Sequence, residues 1–264
     1  MRSLVLLLPP LFAALTLPRA GEETAPMAAS AWIQVTGAPA GALDIAADDA
    51  GNVLITTSDG KIYRGTNNGA TWTQFWTTNG NGPLYYGARS ITTNGIRAYA
   101  IDAKGSRYSA DMTGKWSAAT SVPSAKDIAL TKSNKCWLVG STGHIYTVGS
   151  GTFTQEQGSS GARIAAAGTS GKEQIWLCNT AGKVYRAKWN GHFYEWEQMA
   201  GSSVRDVSVG HDGTVWCANT SGDIFKWGGS SWTRLSGSDA SRVSAGTGNL
   251  WMVNTAGKVY RLPY

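Results

Sequence analysis

The residue types that most often carry catalysis or bind metals are few and scattered in this sequence. The three histidines, His144, His192 and His211, belong to no H-E-x-x-H motif and to no cysteine–histidine spacing that would hold zinc. The paired carboxylates Asp48 and Asp49 stand in a turn-like stretch, and the chain has no G-x-S-x-G sequence that would present a nucleophilic serine. The sequence therefore predicts no enzyme, no cofactor and no metal site.

Side chains that can recognise a sugar or another polar ligand recur along the chain instead. Aromatic rings stack on the apolar faces of sugars, while amide, carboxylate and guanidinium groups bind sugar hydroxyls. Asparagine opens three N-T-x-G stretches, and Lys-Asp or Arg-Asp precedes a β-branched residue at two places. The candidate ligand-binding residues are Lys126, Asp127, Asn179, Arg205, Asp206, Asn219, Asn254, Trp189 and Trp227.

Each candidate also has a purely structural interpretation. The asparagines can serve turn geometry alone, since Asn bonds its own backbone two residues further on. The Lys-Asp and Arg-Asp pairs can be solvated ion pairs that add little stability. Trp189 and Trp227 fall outside the positions that recur in the chain, so the fold requires them least, although either can pack in a core.

A repeat must position these residues, because the octamer NTAGKVYR occurs at 179–186 and again at 254–261. Its glycine recurs at spacings of 45, 38, 39, 40 and 35 residues. An apolar residue, in four units Trp, stands six residues before each glycine, an aromatic stands three residues after it, and a β-branched residue stands 14 to 18 residues before it. The six glycines are Gly60, Gly105, Gly143, Gly182, Gly222 and Gly257.

Each unit reads as four short strands, with a hairpin turn at the N-T-x-G element and a fourth strand that begins at an aromatic residue. The last unit lacks its fourth strand, and AWIQV at 31–35 matches the fourth strand SWTRL at 231–235. Units of this length with four strands arranged radially form propellers. We therefore predict an all-β fold, a six-bladed β-propeller of four-stranded blades, in which the N-terminal strand closes the last blade.

With these positions aligned, residues 31–264 resemble the tectonin repeat family of six-bladed propellers. The resemblance is carried by K/R-D-I/V at 126–128 and 205–207, G-x-V-W at 213–216, x-G-x-I/V-Y-R in the third strands and W-x-x-V/L in the fourth strands. The first two units depart from it, because Leu54 and Tyr99 replace the Trp and Arg107 interrupts the I-Y pair.

The resemblance implies a lectin, similar to tectonins, tachylectins and fish-egg lectins. Such a protein would recognise microbial or otherwise non-self glycans, lipopolysaccharide or O-methylated sugars, in innate defence. We expect several inter-blade sites, on the face where the turns between second and third strands meet the starts of the first strands. The alternative is a protein-interaction propeller that docks a partner chain.

Charge and the N-terminal segment bear on partners and location. The net charge of +6 is spread along the chain without a basic block, which argues against nucleic acid as a partner. The pattern of residues 1–20 is typical of a signal peptide. Its apolar run is too short, and too interrupted by proline, to span a membrane. Residues 21–30 are a short N-terminal segment. We expect secretion; the alternative is a cytoplasmic protein whose translation starts at Met27.

The chain has three cysteines, Cys136, Cys178 and Cys217, each inside an apolar, strand-like run. An odd number in a secreted protein predicts a free thiol or an intermolecular disulfide. The alternative is that they serve as small buried hydrophobic residues.

Overall fold

The computed structural model of the protein describes residues 24–27, 32–75, 86–118, 123–148, 152–235 and 239–264. Every regular element in these ranges is a β-strand, as expected for β-branched and aromatic runs separated by glycine turns. The predicted signal peptide at 1–20 lies outside the described residues. The all-β propeller is confirmed: six sheets of four antiparallel strands form the blades of a ring.

The first three blades follow one another directly along the chain. Two strands precede them, β1 (Thr24–Met27) and β2 (Ile33–Gln34). Blade 1 consists of β3 (Ala42–Ala47), β4 (Val53–Thr57), β5 (Ile62–Thr66) and β6 (Thr71–Gln74). Blade 2 consists of β7 (Ala88–Thr93), β8 (Arg97–Asp102), β9 (Arg107–Asp111) and β10 (Trp116–Ala118). Blade 3 consists of β11 (Ala125–Leu130), β12 (Cys136–Gly140), β13 (His144–Val148) and β14 (Phe153–Ser160).

The other three blades complete the ring. Blade 4 consists of β15 (Arg163–Ala167), β16 (Gln174–Cys178), β17 (Val184–Trp189) and β18 (Tyr194–Gln198). Blade 5 consists of β19 (Val204–Val209), β20 (Val215–Asn219), β21 (Ile224–Trp227) and β22 (Trp232–Leu235). Blade 6 takes β23 (Ala240–Gly246), β24 (Asn249–Asn254) and β25 (Val259–Pro263) from the C-terminal end of the chain.

The N-terminal strand closes the last blade, as predicted. β2 pairs with β25 in antiparallel register, Ile33 opposite Arg261 and Gln34 opposite Tyr260. The first strand of each blade lies innermost, and β23 contacts β3 to complete the circle. One further pairing was not predicted: β1 adds to the outer edge of blade 5 in parallel with β22.

The recurring glycine occupies the point where each blade meets the next. Its carbonyl accepts a bond from the first strand of the following blade, as in Ala88 N to Gly60 O at 3.0 Å and Ala42 N to Gly257 O at 3.1 Å. All six glycines have positive φ, and a Cβ on Gly60 would lie 2.5 Å from the Cα of Gly87. A side chain is therefore excluded both by the backbone conformation and by the neighbouring blade.

In the four blades that have a tryptophan six residues before the glycine, this tryptophan is a packing residue. Trp137, Trp176, Trp216 and Trp251 are at most 1% exposed. They belong to apolar clusters that combine residues of neighbouring blades; Trp137, for example, packs with Ile164 and Leu177 of blade 4. The blades are thus held together by buried apolar area along their whole length.

A ring of polar side chains lines the inner strands at one level of the central channel. It is formed by the residue that precedes the β-branched position in each first strand: Asp44, Ser90, Asp127, Arg163, Asp206 and Arg242. The aspartates of blades 1, 3 and 5 accept bonds from the backbone of blades 2, 4 and 6, from Ile91 N at 3.0 Å, Ile164 N at 2.7 Å and Val243 N at 2.8 Å. We call these six residues the axial ring.

Charge pairing also runs around the axial ring. Asp127 pairs with Arg163 at 3.0 Å and accepts a bond from Ser90 at 2.8 Å, and Asp44 lies 3.5 Å from Arg242. Because these groups are almost fully buried, removing one partner leaves an uncompensated charge in a medium of low polarity.

We expect Asp127→Ala to lower the free energy of unfolding by about 3–5 kcal/mol, the usual cost of breaking a buried pair. Glu197→Gln is the matched control, because it breaks the exposed Arg186–Glu197 pair of 2.7 Å and should cost less than about 1 kcal/mol. Urea denaturation measures both values. Equal, small losses in the two variants would show that the axial ring does not hold the blades together.

The axial ring also predicts how stability changes with pH. Burial raises the pKa of Asp44 to about 6, against the opposing effect of Arg163 and with the help of Asp127. A raised pKa means that the folded state binds a proton more tightly than the unfolded state, so stability increases as the pH falls from above 6 toward 4. The effect reaches up to about 3 kcal/mol at about 1.4 kcal/mol per pKa unit.

We therefore expect the melting temperature difference between pH 5 and pH 7.5 to shrink in Asp44→Asn, which cannot take up the proton. Calorimetry of both proteins at the two pH values checks this. An identical pH dependence in the variant would assign the titration to other groups.

Candidate functional site

Two of the predicted ligand-binding residues belong to the axial ring. Asp127 and Asp206 are 5% and 6% exposed, and their carboxylates bind backbone and side chains of adjacent blades. Lys126 and Arg205, their neighbours in sequence, are half-buried at an irregularity in the strand register. The members of each predicted pair therefore differ in burial, and both carboxylates are engaged in bonds between blades.

The three predicted asparagines shape the turns between second and third strands. Asn179 Oδ1 accepts bonds from Ala181 N at 3.0 Å and Lys183 N at 2.9 Å. Asn219 and Asn254 accept the equivalent bond, each at 2.8 Å, from the backbone N four residues further on. They lie one per blade in blades 4, 5 and 6, and their amide oxygens are already used by the turns.

The two predicted tryptophans differ. Trp227 packs on Trp232 and Trp176, with ring centroids 5.1 Å and 5.8 Å apart, in the cluster between blades 4 and 5. Trp189 is 55% exposed and lies at the end of the β17–β18 hairpin. The centroid of its ring is 4.9 Å from the centroid of the Tyr194 ring. Phe193 of the same hairpin is 45% exposed. Of the two, only Trp189 offers its ring to a ligand.

An open groove of about 710 Å³ lies across the ends of blades 2, 3 and 4. It runs over the turn between β11 and β12, and its lining is mostly polar with one aromatic ring. The lining residues are Tyr99, Arg107, Ser133, Asn134, Lys135, Cys136, Thr147, Val148, Thr154, Ser170 and Glu173. None of them is among the predicted site residues.

The groove coincides with departures from the repeat. Four residues after the glycine, four blades carry a long cation, Arg64, Arg186, Lys226 or Arg261. In blades 4 and 5 this cation covers the buried tryptophan, with Arg186 6.0 Å from Trp176 and Lys226 5.1 Å from Trp216. Blades 2 and 3 have the short Ser109 and Thr147 instead, and Thr147 lines the groove. The volume that the long cation fills in the other four blades is therefore open in blades 2 and 3.

Tyr99 and Arg107 are the second departure. They replace the Trp and the apolar residue that fill the corresponding positions in most other blades. The guanidinium of Arg107 lies between the rings of Tyr99 and Phe153, 5.5 Å and 5.6 Å from their centroids. These two substitutions are visible in the sequence, and they were the signal that could have located the groove.

The groove is positively charged at its floor. Burial raises the pKa of the Cys136 thiol to about 11, although Arg107 opposes the effect, so this thiol is neutral beside a cationic Arg107. Lys135 donates to Tyr194 Oη at 3.1 Å and lies 5.1 Å from the centre of the Trp137 ring. Glu173 is the single carboxylate in the lining.

The central channel offers much less room than the groove. Its cavity of about 70 Å³ is lined by the inner strands and by Asp44, Asp127 and Asp206 of the axial ring, and a volume of this size holds only about two waters at about 30 Å³ each. At the other end of the channel, the carboxylate of Asp49 hydrogen-bonds to three side chains: His211 at 2.8 Å, Lys132 at 3.3 Å and Thr247 at 2.7 Å. Residues of four blades therefore meet there. A substrate molecule does not fit in this cavity.

The structure also bears on the predictions for the cysteines, for metal binding and for membrane helices. Cys136, Cys178 and Cys217 are free and at most 2% exposed, which argues against the predicted intermolecular disulfide and fits the alternative of buried hydrophobic residues. Within the described ranges, no three His, Cys, Asp or Glu side chains are placed to hold a metal ion. The same ranges contain no helix long and apolar enough to cross a membrane.

Comparison with known structures supports the propeller and shows the fold alone, since identities are low. The chain is similar to YCF48 from Cyanidioschyzon merolae, with 16% identity and a TM-score of 0.54 over 88% of this chain and 98% of that one. YCF48 bound to D1 peptide has 16% identity and a TM-score of 0.57 over 84% and 76%. A protein of unknown function from Bacteroides thetaiotaomicron has 12% identity and a TM-score of 0.61 over 89% and 72%.

Sequence comparisons identify the repeats. Residues 162–263 match the model of the Tectonin domain. A stretch of 56 residues is 38% identical to Tectonin-1 of Physarum polycephalum and covers 21% of this chain. The stretch spans only 24% of that relative. These two matches support the resemblance to the tectonin repeat family: residues 162–263, which form blades 4 to 6 of this six-bladed β-propeller, are similar to the Tectonin domain.

Proposed function

We propose that this propeller is a lectin and that its glycan binds in the groove across blades 2, 3 and 4. The observation that carries the proposal is the groove itself. Its volume of about 710 Å³ falls in the range of about 300–1,000 Å³ found for ligand sites. On the predicted face, the turns already use the amide oxygens of the asparagines.

The lining of the groove suits a saccharide. Ser133, Thr154 and Ser170 supply hydroxyls, and Asn134 supplies an amide, so both donors and acceptors are available to sugar hydroxyls. Tyr99 supplies a half-buried ring against which the apolar face of a sugar can stack. A few polar groups around one aromatic surface fix the orientation of a ligand that has little apolar area of its own.

Trp189 extends this site on blade 4. The ring centroids of Tyr194 and Trp189 are 4.9 Å apart. The hydroxyl of Tyr194 also accepts a hydrogen bond from Lys135, which lines the groove. An oligosaccharide that fills the groove and continues past Tyr194 would reach the exposed Trp189 ring. We infer that Trp189 stacks on an outer sugar unit, which keeps it as the predicted residue best placed for binding.

The family relationship supports the class of glycan. The targets we propose are microbial or otherwise non-self glycans, lipopolysaccharide or O-methylated sugars, met by a secreted protein in innate defence. Because the groove arises from departures confined to blades 2 and 3, we infer one principal site in the ring rather than six equivalent ones.

Peptide docking is the second candidate. One structural neighbour is YCF48 bound to D1 peptide, and the groove here has the polar and aromatic lining that a peptide also requires. Inhibition by free saccharides separates the two candidates: a lectin loses its bound target in excess sugar, whereas a peptide-docking propeller does not.

Filling the groove should abolish binding. Thr147→Arg restores the long cation that four other blades carry at this position, and Glu156, which now accepts the Thr147 hydroxyl at 2.8 Å, can pair with it. We expect an unchanged melting temperature and at least about a tenfold loss of glycan affinity, about 1.4 kcal/mol, on a glycan array followed by calorimetry.

Thr220→Arg is the matched control, since Thr220 is exposed on an asparagine turn of the predicted face. It should bind glycans like the wild type. Normal binding by Thr147→Arg together with loss in Thr220→Arg would move the site to the predicted face. A folded wild-type protein that binds no glycan would overturn the lectin proposal.

Removing the exposed ring should affect only long ligands. Trp189→Ala is expected to weaken a tetrasaccharide about twofold to tenfold, because one aromatic stacking contact contributes about 0.5–1.5 kcal/mol, and to leave a disaccharide unaffected. Titration calorimetry with both lengths of one sugar series measures this. Equal weakening of the two lengths, or of neither, would contradict the extended site.

A further inference from the structure

The groove contains a cation without an anionic partner. Arg107 lies in the third strand of blade 2, at a position that is apolar and buried in the other five blades. Its Nε is buried and has no hydrogen-bond acceptor. Its neighbours are the rings of Tyr99 and Phe153 and the neutral thiol of Cys136.

Most other partly buried arginines in the described ranges have an acceptor, and Arg205 is the exception. Arg163 pairs with Asp127, Arg242 lies near Asp44, and Arg64 donates to Met112 O at 3.0 Å. Arg261 donates to Asn249 Oδ1 at 3.3 Å. Among the described residues, Arg107 is paired with no carboxylate and donates to no carbonyl oxygen.

Leaving such a group unpaired is costly. A buried donor without an acceptor costs about 1–3 kcal/mol, and more when the group is charged. The two flanking rings offset part of this cost through cation–π contacts, which are worth about 0.5–2 kcal/mol. A guanidinium held between two rings in the lining of an open groove can receive two oxygens of an anion in a bidentate pair.

We propose that the groove selects acidic saccharides, with the carboxylate, sulfate or phosphate of the sugar paired to Arg107. This inference rests on the proposed lectin function and adds the class of ligand. Lys135, also in the lining, strengthens the positive potential, and two carboxylates oppose it: Glu173 of the lining and Glu156, which accepts the hydroxyl of Thr147. Neutral sugars then bind through the hydroxyl and amide groups alone and more weakly.

The wild-type protein tests this directly by calorimetry with trigalacturonic acid and with its methyl ester, which has the same sugars without the charge. We expect the acid to bind at least about tenfold more tightly, with an affinity that falls as salt rises. Mannose 6-phosphate against mannose, and a sulfated against an unsulfated heparin disaccharide, show which anion the site prefers.

Arg107→Gln should remove the preference for the acid and leave the affinity for the ester within about twofold. Arg89→Gln is the matched control, since Arg89 is an exposed arginine of the same blade and the net charge changes equally. If Arg107→Gln fails to fold, Arg107→Lys serves, because it keeps the charge, loses the bidentate geometry and should reduce the preference.

The outcomes separate the two proposals. Equal binding of acid and ester by the wild type would overturn the selection of acidic sugars and leave the lectin function standing. A preference that survives Arg107→Gln but is lost in Arg89→Gln would also overturn it. Failure of the folded protein to bind any saccharide would remove the lectin function and this inference together.

Discussion

The bond between each recurring glycine and the first strand of the next blade is the contact on which the whole ring depends. It brings two backbones so close that a Cβ on Gly257 would lie 2.8 Å from the Cα of Gly41. Because the carbonyl of the glycine accepts a backbone bond from the next blade at all six junctions, donated at one of them by Gly161 just before the first strand, it sets the angle between blades, and closure follows when β2 completes blade 6. The buried tryptophans then fill the space between neighbouring blades, and the axial ring lines the inner strands at the centre of the propeller.

This constraint separates structural from functional residues. Residues that recur in several units are occupied by the repeat itself: tryptophans pack between blades, asparagines shape turns, and Asp127 and Asp206 join inner strands. Free chemical groups are found where the repeat is broken. Tyr99, Arg107 and Thr147 are smaller than, or different in charge from, the residues they replace, and the groove of about 710 Å³ lies beside them.

The fold was predictable because it depends on spacing. Six glycines, the aromatic positions around them and the displaced strand at 31–35 specify strand number, blade number and closure without any knowledge of contacts. The binding residues were not predictable in the same way. The Asp127 side chain could point to solvent or to the axis, and only the pairing with Arg163 from another blade decides between them. The parallel addition of β1 to blade 5 likewise has no counterpart in the repeat.

A crystal structure of the propeller with a bound oligosaccharide tests the central claim most directly. The account predicts density for the sugar in the groove of blades 2, 3 and 4, with one unit against Tyr99 and its acidic group on Arg107. A sugar bound instead at the turns of Asn179, Asn219 or Asn254 would contradict the account. It would show that the repeated residues, and not the departures from the repeat, recognise the ligand.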